Sequence, residues 1–421
     1  MSTDLSPFAT RREHFAEALD GGIAVIPAGT EAVRNFDVHY EFRQDSDFWF
    51  LTGFHEPDAV AVIDPSHPEE QFVLFVLPRD REMEIWNGYR AGVEGARERY
   101  GADAAYAADL LDDELARRFL GRHTVYTPLG NTAFASRITG LINKVRGAAT
   151  RYGREVPFGM RDVSGVIGEL RLRKTPAEIE SLRRACSLTA LGHAEAMRFA
   201  APGRYEYQVQ AAMEYLWRVK GSRRNGYPSI VASGPNACVL HYTGNDRKME
   251  DGDLLLVDAA AEIDYYSSDI TRTFPVNGRF TEHQARLYDT TLAAQRAGIA
   301  AVRPGATLAE IELACKAVID EAGLSRYIRH GATHYVGLEV HDPGDRKRPF
   351  VPGVAFTIEP GLYDPETSVG IRIEDVVVVT EDGCEVITDE VPKDRATIEA
   401  LMAGEGVLDW LDGQDAADGD E

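Results

Sequence analysis

Cysteine is scarce in this chain. Its 421 residues include four, Cys186, Cys238, Cys315 and Cys384, scattered and never in a C-x-x-C pair. That excludes a disulfide scaffold and the usual thiolate zinc sites, and it predicts buried thiols in a reducing compartment, the cytoplasm. Long apolar runs are missing as well, so no segment is predicted to span a bilayer. The opening MSTDLSPFATRREHF has no basic region followed by an apolar stretch, which argues against a secretory leader. Positive charge is in short supply: 45 Lys and Arg against 68 Asp and Glu leave a formal net charge of -23. Such a balance disfavours nucleic acid and an anionic membrane surface as partners. Part of it lies in an acidic C-terminal tail, residues 405–421, predicted to be disordered.

The length allows two domains with a sizeable core. Residues 1–172 read as an α/β domain. Gly22 to Ile26, Ala59 to Ile63 and Phe72 to Leu77 look like buried strands, and Ser136 to Ala148 like an amphipathic helix. No metal or phosphate motif is visible there. In RQDSDFWFLTGF, Phe48 and Phe50 read as an aromatic core strand beside a polar loop. In EIWNGYR, Trp86 reads equally as a binding aromatic or a plain surface one. A boundary falls near Arg171 to Thr175. Thr175 with Glu178 forms a capping box with Pro176 at the first helical position, and that helix runs to about Ala200. Thr281 with Gln284 and Thr307 with Glu310 repeat the signature.

The second domain, residues 173–404, carries an internal duplication. Pro202-Gly203 precedes a helix, and so does Pro304-Gly305. His241 and His341 each precede a turn, Asp251-Gly252 or Pro352-Gly353, and then an apolar strand ending in an acid, Asp258 or Glu359. A second acidic strand follows each, with Asp269 or Glu374. A near-constant offset over these features predicts two similar halves across a pseudo-twofold axis, each supplying one histidine and two acids to a shared cleft.

The stretch from Asp253 to Pro275 shows the chemistry at its plainest. Read as a hairpin turning at Ile263-Asp264, it puts Asp258 opposite Asp269, with Cβ atoms roughly 5 Å apart. Two carboxylates that close repel, and either one holds its proton or a divalent cation settles the conflict. Four converging carboxylates with one imidazole suit two ions such as Mn²⁺, Co²⁺ or Fe²⁺ better than soft, thiolate-preferring metals. Two such ions share a bridging hydroxide, a nucleophile at neutral pH. Among His241, His330, His334 and His341, only His334 breaks the duplication, its counterpart falling at Gly234, so it is the natural single imidazole ligand. His241 and His341 flank the cleft and suit hydrogen bonding to a substrate carbonyl and a developing oxyanion.

These residues resemble the creatinase/aminopeptidase family (M24B type), whose catalytic domain has the pita-bread fold, with the aminopeptidase P group as the nearest pattern. The resemblance covers roughly residues 8 to 402. It rests on RQDSDFWFLTGFHEPDAV, EIWNGYR, SGPNACVLHY, VDAAAEIDYYSSDITRTFPVNG, HGATHYVGLEVHD, TIEPGLY and GIRIEDVVVV. It implies an α/β (α+β) chain with an N-terminal creatinase-like domain and a pita-bread metallopeptidase domain. It implies two divalent ions, Mn²⁺ foremost with Co²⁺, Fe²⁺ or Zn²⁺ possible, on Asp258, Asp269, His334, Glu359 and Glu374. Asp269 and Glu374 would bridge them, and Glu359 would also serve as general base. His241, His341 and His330 match catalytic histidines, and Arg372 matches an arginine that holds Asp258. Trp86 resembles a tryptophan that reaches a neighbouring subunit's site, which implies a homo-oligomer, a dimer or a tetramer.

The implied reaction is hydrolysis of the bond between an N-terminal residue and a following proline, with peptides carrying proline at position two as partners. The stretch after His341 is shorter than in many relatives, where an arginine-bearing loop reads a free carboxylate; Arg346 or Arg348 is the candidate here. The alternatives are an Xaa-Pro dipeptidase (prolidase) and, outside catalysis, a pita-bread protein-binding module.

Overall fold

The computed structural model describes residues 5–151 and 153–407. Within the acidic tail, residues 408–421 lie outside the described residues. Two compact units divide between Leu170 and Arg171. In the first, runs of Val, Ile and Phe form the central strands of a six-stranded mixed sheet. Its strands are β1 (Ile23–Pro27), β2 (Val60–Ile63), β3 (Phe72–Val76), β4 (Ala104–Ala107), β5 (Thr124–Thr127) and β6 (Gly159–Asp162), in the order β4-β3-β2-β1-β5-β6. Every residue of β2 and β3 is buried, as strands covered on both faces require.

The aromatic stretch departs from expectation. Phe48 and Phe50 are buried, but they sit on a helix, α1 (Ser46–Thr52), and not on a strand. The Asp45 carboxylate accepts the Phe48 N–H at 2.8 Å and starts the helix. Gly53, at φ 64°, ends it in the left-handed region. A cap at each end outweighs the strand preference of the aromatics. Of the cysteines, Cys186 and Cys315 are buried, whereas Cys238 and Cys384 are half-buried.

The second unit repeats a helix pair and a small antiparallel sheet. Helices α2 (Pro176–Phe199) and α3 (Glu206–Val219) form one pair, and α4 (Glu282–Ala301) and α5 (Leu308–Glu321) the other. All three predicted threonine capping boxes are formed. Pro202-Gly203 and Pro304-Gly305 fall at the turns within the two pairs, with Gly203 at φ 93° and Gly305 at φ 85°. The first half has β7 (Ile230–Ser233), β8 (Leu254–Asp258), the short hairpin β9 (Ala261–Ile263) and β10 (Tyr266–Ser267), and β11 (Thr271–Pro275), with sheet order β7-β8-β11. The second half has β12 (Ala355–Ile358), β13 (Gly361–Asp364), β14 (Val369–Arg372) and β15 (Asp375–Val379), with β12 on β15 and β13 on β14.

The register differs from the predicted one. Asp258 pairs with Thr271, and Ile263 with Tyr266. The turn is therefore Asp264-Tyr265, both at positive φ (50° and 69°), as a two-residue hairpin with the twist of its strands demands. Asp258 and Asp269 are diagonal neighbours, not a facing pair. A shift of two residues keeps both acids on one face, whereas a shift of one would have turned them apart. In the second half Ile358 pairs with Asp375 and Gly361 with Arg372, which sets Glu359 directly across from Glu374. The strand pairing also corrects the counterpart of His334. Ala232 pairs with Leu256, and the His334 carbonyl accepts from Thr357 N–H at 2.8 Å, so Ala232, not Gly234, occupies the equivalent place.

The α2–α3 contact yields a test. A Cβ on Gly192 would lie 2.7 Å and 2.9 Å from ring carbons of the fully buried Trp217. Alanine raises helix propensity by about 1 kcal/mol over glycine. Here the clash should win, and Gly192→Ala is expected to destabilise the protein by about 1–3 kcal/mol. Urea denaturation measures this; equal or greater stability would contradict the packing.

Candidate metal centre

A cavity of about 400 Å³ opens where the two halves of the second unit meet. Its lining includes Asp258, Asp269, Glu359, Glu374, His241, His330, His334, His341 and Arg372. Asp258 ends β8, Asp269 lies in the link before β11, Glu359 follows β12 and Glu374 precedes β15. Each acid thus stands at or beside the end of a buried strand, which fixes its place to within the stiffness of a sheet.

His334 stands among the acids. Its Nδ1–H donates to the Tyr335 carbonyl at 3.1 Å. That bond turns Nε2 toward Asp269 Oδ2 at 3.3 Å, Glu359 Oε1 at 3.4 Å and Glu374 Oε1 at 3.9 Å. Asp269, His334 and Glu374 offer ligand atoms all within 4.8 Å of one another. Burial opposes a charge on His334, but the hydrogen bond and charge of Asp269, with Glu359, raise its pKa to about 9. Burial first, then neighbouring carboxylates, pushes Glu374 well above the usual carboxylate range. Glu359 rises to about 7, mainly by burial, with His334 and Arg372 pulling the other way. Acids held this far up lack positive charge. The donor set is oxygen-rich with one imidazole, and it fits hard or borderline divalent cations.

Arg372 supplies the nearest fixed cation. Its Nη2 donates to Asp258 Oδ2 at 2.5 Å, its Nε to Thr271 Oγ1 at 3.1 Å, and its Nη1 to the Tyr363 hydroxyl at 2.7 Å. Thr271 Oγ1 in turn donates to Glu374 Oε2 at 2.6 Å. His330 Nδ1–H donates to the Gly331 carbonyl at 2.7 Å, so its Nε2 accepts from the Tyr363 hydroxyl, also at 2.7 Å. Burial and Arg372 lower the His330 pKa to about 4, which matches a neutral, accepting ring. The rings of His334 and His341 are 4.3 Å apart and nearly perpendicular.

Three predicted residues lie outside the cavity lining. Trp86 is 83% exposed on the short helix Arg81–Asn87 of the first unit. Arg346 donates to the Thr333 carbonyl at 2.8 Å and to Glu312 at 3.2 Å. Arg348 is exposed. Sequence reasoning missed Tyr227, whose hydroxyl lies 2.5 Å from Asp258 Oδ1 and 2.6 Å from Asp269 Oδ1. It also missed Thr271 and Tyr363. Tyr227 sits in a loop with no periodic pattern, but Thr271 follows Asp269 by two residues, at the start of β11, and its position on the same face was legible.

The sequence profile of "Metallopeptidase family M24" matches residues 180–381, and that of "Aminopeptidase P, N-terminal domain" matches residues 8–126. The chain belongs to metallopeptidase family M24, and its α/β architecture, with the N-terminal domain and the pita-bread domain expected from the sequence, is that of the family. It is 39% identical to the Xaa-Pro aminopeptidase of Escherichia coli (strain K12), over 94% of this chain and 97% of that one. The structure of Pseudomonas aeruginosa aminopeptidase PepP superposes with a TM-score of 0.91 at 41% identity, covering 96% of this chain and 99% of that one. Aminopeptidase P from E. coli with the inhibitor Pro-Leu gives 0.89 at 38%, with the same coverage.

The uncompensated acids predict a metal-dependent stability. Added Mn²⁺ should raise the Tm of chelator-stripped protein, with a gain of about 2.7 kcal/mol at a hundredfold excess over Kd. Asp269→Asn should lose most of that gain. A Tm indifferent to metal would remove the assignment of this cleft as a metal centre.

Proposed function

We propose that the chain is a metal-dependent aminopeptidase that hydrolyses the bond between an N-terminal residue and a following proline. The observation that carries this is one cavity in which four acids and His334 stand beside an apolar wall of Ile230, Leu240 and Val340. The shared name of the relatives supports it. So does the substrate chemistry: a proline amide lacks N–H and resists the extended pose general peptidases use, so a dedicated apolar pocket for the ring is required.

Asp258, Asp269, His334, Glu359 and Glu374 would hold two divalent ions. When bound, such ions, Mn²⁺ foremost with Co²⁺, Fe²⁺ or Zn²⁺ as alternatives, supply an ionised water as nucleophile and positive charge for the oxyanion. The remaining work belongs to the chain. Asp258 and its neighbours give the free amine a negative seat. His241 and His341 hydrogen-bond the carbonyl oxygen as it gains charge. Glu359 takes up a proton and returns it to the leaving proline nitrogen. Arg372 keeps Asp258 oriented, and the Tyr363 hydroxyl links that arginine to His330.

We further infer that substrates extend beyond two residues. Arg372 is the one Lys or Arg side chain in the described lining, and Asp258 engages it. Arg346 is occupied by Thr333 and Glu312. Arg348 lies outside the lining, and among the described lining residues no second Lys or Arg stands ready for a carboxylate directly after proline, which disfavours the dipeptidase alternative. Cysteines without disulfide partners support a reducing, cytoplasmic setting. Exposed Phe36, Ile85, Trp86 and Tyr89 support association of copies into a homo-oligomer.

The test is a scan of peptide length and position two, with and without Mn²⁺. Ala-Pro-Ala should be cleaved with kcat/KM at least about tenfold above Ala-Pro, a difference of about 1.4 kcal/mol in transition-state stabilisation. A strict preference for Ala-Pro would overturn the aminopeptidase reading, and no hydrolysis with bound metal would favour the binding module. Asp269→Asn should lower kcat by at least about 100-fold, because one of the acids that would hold the ions loses its charge. Near-normal turnover in that variant would sink the assignment of Asp269 to the metal set.

A further inference from the structure

A buried ion cluster that the proposed chemistry does not use ties down the loop carrying Val340 and His341. Asp342 Oδ1 accepts from Arg171 Nη2 at 2.6 Å, and Oδ2 accepts from Lys174 Nζ at 3.1 Å. The three side chains are at most 4% exposed. Asp342 Oδ1 also accepts the Glu339 N–H at 3.2 Å, while the Asp342 N–H closes the loop on the Tyr335 carbonyl at 2.9 Å. Burial pushes the Asp342 carboxyl up, and Lys174 and Arg171 more than offset it, so it stays below the usual carboxylate range.

The loop is shaped around this contact. A Cβ at Gly337 would stand 2.5 Å from Asp342 Oδ2 and 3.0 Å from Lys174 Cε, so glycine there lets the pair close. The Gly337 carbonyl accepts from Ser267 N–H at 2.9 Å, which links the loop to the β10 strand just before Asp269. Lys174 is itself fixed through its N–H to the Gly353 carbonyl at 2.9 Å. Buried ion pairs are commonly no more stabilising than apolar residues of the same volume. Stability alone therefore does not account for the cluster. What it does provide is one defined loop conformation, and His341 is the next residue along. None of Arg171, Lys174 and Asp342 lines the cavity.

We propose that Asp342 is a positioning residue: its carboxylate, clamped between Arg171 and Lys174, sets the 336–341 loop so that the His341 imidazole faces the substrate beside His334. This rests on the reading of His341 as a substrate contact. Asp342 acts through His341 and touches no reacting atom.

The test uses the full-length, metal-loaded chain. Asp342→Asn alone takes the carboxylate from the buried Lys174 and leaves Arg171 with Glu339 at 3.5 Å, so it is combined with Lys174→Met, which removes the lysine charge. The combined variant should keep its Tm within a few degrees and its bound metal per chain. It should lose at least about tenfold in kcat on Ala-Pro-Ala with KM changed less than about threefold. In a His341→Ala background the same pair of changes should cost less than about twofold, because the two effects share one route. Unchanged kcat in the folded, metal-replete variant, or full additivity with His341→Ala, overturns the proposal. If the combined variant does not fold, Arg171→Gln is read in its place, with a loss in kcat of at least about threefold that vanishes in the His341→Ala background. An unchanged kcat there overturns the proposal equally. A readout independent of substrate separates this inference from the functional reading. In Zn²⁺-loaded protein the ¹⁵N-imidazole resonances of His341 should shift or broaden in the same variants, while those of the buried His193 stay. Unmoved His341 resonances sink the positioning role whatever the substrate proves to be.

Discussion

Like-charge repulsion inside one buried cleft is the constraint to which the rest of the second unit answers. Asp258, Asp269, Glu359 and Glu374 approach from four strand ends, and their burial weakens the screening that water would give them. The chain replies with directed donors: Arg372 on Asp258, the Tyr227 hydroxyl near both aspartates, Thr271 on Glu374, and His334 among three acids. A further layer stands behind these. Arg272, fully buried, donates to the Glu374 carbonyl and to Asp375, whose other oxygen receives Lys393. The strand that carries Glu374 is thus braced by a residue, Arg272, that cannot itself ligate.

Much of this was legible in the sequence, and the reasons differ by feature. Capping boxes are local chemistry, so the starts of the three long helices could be read from four residues each. The duplication exposed the four acids, because a repeated spacing survives any error in register. The duplication also gave His241 and His341, and the family pattern then added Arg372. The register itself was not legible. Asp264 and Tyr265 carry no glycine or asparagine to announce left-handed backbone, and the turn is held by the burial of the flanking strands. The helix at Ser46–Thr52 was obscured for a related reason. Its aromatic content favours a strand, and only the Asp45 cap and Gly53 at its ends reverse the preference. Tyr227 was invisible because its role depends on two aspartates that become neighbours only in the folded chain.

The histidines illustrate how one residue type takes separate tasks from its surroundings. His334 is set among carboxylates that favour its charge, His330 beside an arginine and a phenol that do not, and His193 is sealed beneath β8 against the Ala259 carbonyl at 3.0 Å. Their order along the chain says little about this. Which ring nitrogen is free, and toward what, is decided by the carbonyl that the other nitrogen meets.

The correspondence between Ala232 and His334 has a consequence for how such a centre can arise. Two identical chains meeting about a twofold axis must present the same side chain from both sides, so any ligand set on the axis is even and mirrored in kind. Once both halves belong to one polypeptide, that obligation lapses. One half can keep a methyl group where the other places an imidazole, so the two sides of the cleft can differ although the scaffold beneath them is nearly the same. Covalent joining of the halves is what allows a paired cleft to become a directional one.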